Sequence, residues 1–119
     1  MAATHFDLVT IDTERTEALA EFYAAVMGLV ESEREDGDRW IVLSDADGVR
    51  RIGFQRGTHR AGCVHLDLQC DPAVFEAERA RILALGAVET RPPRHEPYGH
   101  IANFTDIDGN LFDVCAYEK

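Results

Sequence analysis

A chain of 119 residues with 45% hydrophobic and 29% charged side chains is long enough for one hydrophobic core and too apolar to stay disordered. Its formal net charge of −10, from 12 Lys and Arg against 22 Asp and Glu, repels phosphate backbones and anionic lipid, which argues against nucleic-acid and membrane partners. No stretch is apolar enough to span a bilayer and no secretory leader is visible; Cys63, Cys70 and Cys115 are odd in number and lack CxxC spacing, so a cytoplasmic protein with reduced thiols, mostly buried in strands, is expected.

The first strand is predicted over Phe6–Asp12, where β-rich residues cluster. A helix follows, capped by Asp12 or Thr13, because Ala18, Leu19, Phe22, Tyr23 and Val26 recur at helical spacing. Gly28 stops it, since glycine reaches the left-handed conformation at little cost. Strands are then expected at Leu29–Arg34, Arg39–Ser44 and Val49–Arg56, with turns at 35–38 and at Asp45-Ala46-Asp47-Gly48. The order restarts with a strand at Cys63–Cys70. Asp71-Pro72 opens a helix that buries Phe75, Ile82 and Leu85 and ends at Gly86. Strands at Ala87–Arg91, Ile101–Thr105 and Asn110–Ala116 complete the chain, with a loop insertion around Pro92–Gly99 and a turn at Asp106-Ile107-Asp108-Gly109.

The two halves match each other. Gly28-Leu29-Val30-Glu31 corresponds to Gly86-Ala87-Val88-Glu89, 58 residues on, and the two Asp-x-Asp-Gly turns lie 61 residues apart. Repeats of this size read as duplicated supersecondary units. The expectation is a single α+β domain over 1–119 built from two βαβββ modules, about 1–57 and 61–119.

Phe22-Tyr23 followed by Met27-Gly28-Leu29 resembles a helix end common in the vicinal oxygen chelate superfamily, which holds glyoxalases, bleomycin-resistance proteins and extradiol dioxygenases. Asp106-Ile107-Asp108-Gly109-Asn110-Leu111-Phe112-Asp113 resembles its C-terminal hairpin, and the segment from Leu8 to Tyr23 looks like the actinobacterial glyoxalase-like branch. The resemblance covers nearly the whole chain. It implies eight strands in an open cup, a cup completed in a homodimer, and in metal-dependent members one divalent cation (Zn, Ni, Co, Mn or Fe) that chelates substrate oxygens.

The resemblance places His65 and Asp113 at two metal-ligand positions of the second module. Strand alternation agrees: Leu66, Leu68, Phe112 and Val114 fall under the helix, and His65 and Asp113 on the other face. In the first module Gln55 stands where the family has Glu, and a gapless count puts Leu8 where metal enzymes carry His; an alternative register brings His5 near the rim. Trp40 and Tyr98 are pocket candidates. His95, Tyr98 and His100 share a loop expected to close the cup, with His100 or Glu96 as the acid or base; the bland alternative is a solvated loop. His65 and Asp113 also read as hydrogen-bonded structural residues. His59 is expected to be exposed, and the Asp-x-Asp-Gly segments are turns, not calcium loops, because the 12-residue ligand pattern is missing.

Two functions follow from these residues. One is metal-assisted lyase, isomerase or dioxygenase chemistry on a small molecule, with the cation as Lewis acid. The other is metal-free binding or sequestration of a small, mostly apolar ligand of the bleomycin-resistance kind.

Overall fold

The computed structural model describes residues 2, 3 and 6–118; His5 lies outside the described residues. The chain divides into two compact units, Met1–His59 and Arg60–Lys119. Each carries a four-stranded sheet and helical structure in βαβββ order, so the fold is α+β, with eight strands among the described residues.

The first unit contains β1 (Val9–Thr13), α1 (Thr16–Met27), β2 (Val30–Glu35), β3 (Trp40–Ser44) and β4 (Arg51–Arg56), with sheet order β1-β4-β3-β2. β1 runs one residue past its expected end. Neither Asp12 nor Thr13 caps α1: the N-cap is Arg15, with no side-chain cap, and Thr13 acts one turn earlier, its hydroxyl accepting from Arg15 N–H at 3.0 Å, while Asp12 stays in the strand. Gly28 ends α1 at φ +68°, and its N–H returns to the Ala24 carbonyl, as a left-handed cap should. The apolar stripe of α1, with Leu19 and Tyr23 fully buried, covers Ile11, Ile41 and Phe54 of the sheet. Tyr23 stacks on Phe54 at 5.9 Å.

The second unit contains β5 (His65–Gln69), a single 3₁₀ turn (Pro72–Val74), α2 (Phe75–Ala84), β6 (Val88–Glu96), β7 (Gly99–Thr105) and β8 (Leu111–Tyr117), in sheet order β5-β8-β7-β6. Asp71 caps the turn by accepting from Ala73 N–H at 2.8 Å. The regular helix therefore starts three residues later than Asp71-Pro72 suggests. Phe104 and Phe112, cross-strand partners, stack at 5.2 Å and form the centre of this core with Phe75 and Ile82. Truncating either fully buried ring to alanine costs about 3–5 kcal/mol. The Asp106 turn is tied by its own side chain: the carboxylate accepts from the N–H groups of Asp108 and Asn110 and from the Asn110 amide, all at 3.0 Å or less.

Pro92–Gly99 is not a loop. β6 continues through both prolines to Glu96, and Pro97-Tyr98 turns the chain directly into β7. The prolines are tolerated because β6 is an edge strand and its register slips between Arg91 and Arg94. Among the cysteines, Cys115 is buried and Cys70 half-buried, but Cys63 is exposed and precedes its strand. Among the described residues, no helix is long and apolar enough to cross a membrane.

Candidate functional site

The parallel pairing of β5 with β8 sets Asp67 opposite Asp113 and His65 opposite Leu111, so His65 and Asp113 are diagonal neighbours. Phe112 and Val114 are buried, which fixes Asp113 on the face turned away from α2. There His65 Nε2 lies 2.8 Å from Asp113 Oδ2 and 3.6 Å from Asp67 Oδ1. Asp113 is the sheltered member, its side chain 15% exposed against 52% for His65.

A polar relay continues across the sheet. Asn103, opposite Asp113 on β7, donates its amide N–H to Asp113 Oδ1 at 2.6 Å. Arg94 of β6 donates to Asn103 Oδ1 at 2.7 Å and to Glu96 at 3.1 Å. One Asp113 oxygen is thus held by an amide, and the other is presented to the imidazole. The hydrogen bond that His65 donates to the Asp113 carboxylate raises the His65 pKa above its ordinary value, the negative charges of Asp113 and Asp67 add to it, and partial desolvation opposes it.

This donor set fits a divalent cation. His65, Asp67 and Asp113 each offer one ligand atom, and the three atoms lie within 4.8 Å of one another. One imidazole with two carboxylates suits Zn, Mn, Fe, Co or Ni, and three protein donors leave coordination positions for a substrate. The Asn103 amide is the outer partner that aims such a carboxylate.

The remaining candidates are placed as follows. Gln55 is exposed on β4, between Asp12 of β1 and Trp40 of β3, on the face away from α1. Trp40 is half-buried on that same face, where its ring and the Leu8 methyl both lie over Gly53: a Cβ built there would sit 2.7 Å from Trp40 Cη2 and 2.9 Å from Leu8 Cδ1. The first unit thus presents an apolar surface at the position where the resemblance asks for a ligand. His59 is half-buried rather than free in solvent, its ring nitrogen 3.2 Å from the Asp12 carbonyl. Tyr98 sits in the β6–β7 turn with its ring 6.1 Å from Tyr117, which alternation places on the Asp113 face. Glu96 joins the relay on this face through Arg94. His95 and His100 do not: they are directly opposed on β6 and β7, and His100 stacks on Phe75 of α2 at 5.2 Å, on the reverse face.

Asp67, Asn103 and Arg94 were missed from the sequence. Asp67 follows His65 at strand spacing, and Asn103 between buried Ala102 and Phe104 carries the same alternation signal. Arg94 carries none, because the register slip around the prolines hides its face.

A family model described as a glyoxalase-like domain matches residues 8–115. No curated protein sequence matches the chain significantly. Among solved structures, it is similar to a glyoxalase/bleomycin resistance protein/dioxygenase family enzyme from Burkholderia phytofirmans, with 21% identity, TM-score 0.80, and 94% of this chain and 98% of that one covered. It is similar to the fosfomycin resistance protein FosX from Listeria monocytogenes, solved with Mn(II) and sulfate, at 19% identity and TM-score 0.78 over 99% and 93% of the two chains. It is also similar to TnmS3, an antibiotic binding protein from a Streptomyces species, at 23% identity and TM-score 0.76 over 99% of each. At these identities the likeness shows the fold.

Proposed function

This chain belongs to the glyoxalase-like domain family, and on that premise we propose that it binds a small molecule beside one divalent cation held by His65 and Asp113, with Asp67 as a third donor. The carrying observation is the 2.8 Å approach of His65 Nε2 to an Asp113 carboxylate whose other oxygen is already fixed by Asn103. A cation bound there supplies Lewis-acid polarisation of substrate oxygens, the chemistry of a lyase, isomerase or dioxygenase. In this reading the assembly is a homodimer.

The chain's own groups would do the rest. Asn103 keeps Asp113 aimed. Arg94 offers positive charge on the same face for an oxygen-rich or anionic substrate, in keeping with the Mn(II) and sulfate of the Listeria protein. Glu96, held on this face by Arg94, is the group placed for proton transfer, whereas His100 stands on the reverse face against Phe75.

Titrating chelator-stripped protein with Mn²⁺ tests the reading. One equivalent should bind to the wild type, and none to His65→Ala or Asp113→Asn. Unchanged Mn²⁺ uptake by both variants would overturn it.

A second reading is metal-free sequestration, favoured by the apolar Trp40–Leu8 surface over Gly53 and in keeping with an antibiotic binding protein among the similar structures. A ligand raises apparent stability by mass action. Thermal shifts with planar apolar ligands, unchanged by chelator and by His65→Ala, would support this reading over the first.

A further inference from the structure

We propose that His95, His100 and Glu118 form a second cation site, for a zinc-, nickel- or copper-type ion, on the reverse face of the second sheet. His95 and His100 face each other across the β6–β7 hairpin, one pair from its Glu96–Gly99 end. Their rings lie 4.4 Å apart at 24°, so both project the same way. The His100 ring rests on Phe75, itself 4% exposed, which anchors it against α2.

Glu118 supplies the third donor from the end of β8. Its backbone N–H donates to the Tyr98 carbonyl at 3.0 Å, so its position is tied to the hairpin turn. Gly99 makes this approach possible: at φ +137°, any Cβ there would collide with the Ala116 carbonyl oxygen. One Glu118 oxygen lies 2.5 Å from His95 Nε2 and the other 3.7 Å from His100 Nε2. The donors of a tetrahedral ion with bonds of roughly 2.0–2.1 Å sit about 3.3 Å apart, between these two separations. Turning the more exposed His95 ring out of its stack on the anchored His100 brings the donors together around one ion.

The site is separate from His65 and Asp113. Ala116, the cross-strand partner of His100, alternates with Cys115 and points to the α2 side together with Phe112 and Val114. Two imidazoles and one carboxylate favour the nitrogen-preferring end of the divalent series, whereas the first site, with one imidazole and two carboxylates, suits harder ions. A bound ion replaces the proton shared by His95 and Glu118, keeps water in its open positions, and pins the end of β8 to the hairpin tip.

The experiment uses untagged, chelator-stripped protein in which His65→Ala and Asp113→Asn have removed the first site. Zn²⁺ titrated calorimetrically at pH 7.5 should bind as one equivalent and raise the melting temperature. Adding His95→Ala, His100→Ala or the conservative Glu118→Gln should weaken Zn²⁺ at least roughly 10–100-fold, since even an outer partner of a metal ligand is worth that much. Glu118→Gln lies beyond the last strand and keeps the fold. No Zn²⁺ uptake in the background variant, or uptake unchanged by all three substitutions, would overturn the proposal and leave the cluster as an ion pair. The Mn²⁺ titration of the first site has an independent outcome.

Discussion

Replacing Asn103 by alanine perturbs the candidate site without touching a proposed metal donor. It deletes the 2.6 Å hydrogen bond to Asp113 Oδ1 and leaves Arg94 Nη1 without its 2.7 Å acceptor. A hydrogen bond to a charged partner contributes about 1.5–3 kcal/mol to stability. Asp113 is 15% exposed, so water recovers part of that, and a loss of about 1–2 kcal/mol is expected in metal-free protein by urea denaturation. The carboxylate then keeps only its His65 contact, and Mn²⁺ affinity should fall by roughly 10–100-fold, the usual cost of removing an outer partner. Calorimetry with Mn²⁺ on the same samples measures this second quantity. A variant with unchanged denaturation midpoint and unchanged Mn²⁺ affinity would refute the claim that Asn103 aims Asp113.

Gly99→Ala forces a side chain into the left-handed region and against the Ala116 carbonyl; backbone strain and overpacking each cost about 1–3 kcal/mol, so roughly 2–6 kcal/mol should be lost in urea melts. Gly53→Ala should displace the ring of Trp40, the single tryptophan, and shift its fluorescence maximum, with a loss of about 1–3 kcal/mol. In metal-free protein, an NMR titration should put the His65 imidazole midpoint above the ordinary value of about 6.5, and Asp113→Asn should bring it back down. Because the folded value is raised, the pair stabilises fully below the unfolded value and is lost as pH rises through the folded one. Chelator-treated wild type should therefore weaken relative to His65→Gln across that window, and a parallel pH dependence of the two would count against the pairing.

The duplicated architecture was legible because it rests on local chemistry. Gly28 and the Asp-x-Asp-Gly turns need particular backbone angles and side-chain acceptors, and these survive in sequence as fixed residues at fixed spacing. The facing of His65 and Asp113 was legible for the same reason: both sit between apolar residues that must reach the core. Strand ends were less so. β1 and α1 meet at Thr13, which serves the strand and the turn together, and the sequence offers two cap candidates there. The β6 extension was hidden by Pro92 and Pro93, which break central strands and are harmless only at an edge. Edge position is a property of the whole sheet, so the hairpin read as a loop. The same error put His95 and His100 on the wrong side: their face follows from a register that slips at the prolines. Glu118 joined them only once the pairing of β7 with β8 was known.

The proposed chemistry stands or falls on a cation between His65 and Asp113. Crystals grown with Mn²⁺ and measured at a wavelength that excites its anomalous scattering test it directly. A peak bonded to both His65 Nε2 and an Asp113 oxygen at roughly 2.0–2.2 Å, the length of such bonds, is expected. Ordered density for both side chains, still hydrogen-bonded to each other with no anomalous peak between them, would contradict it.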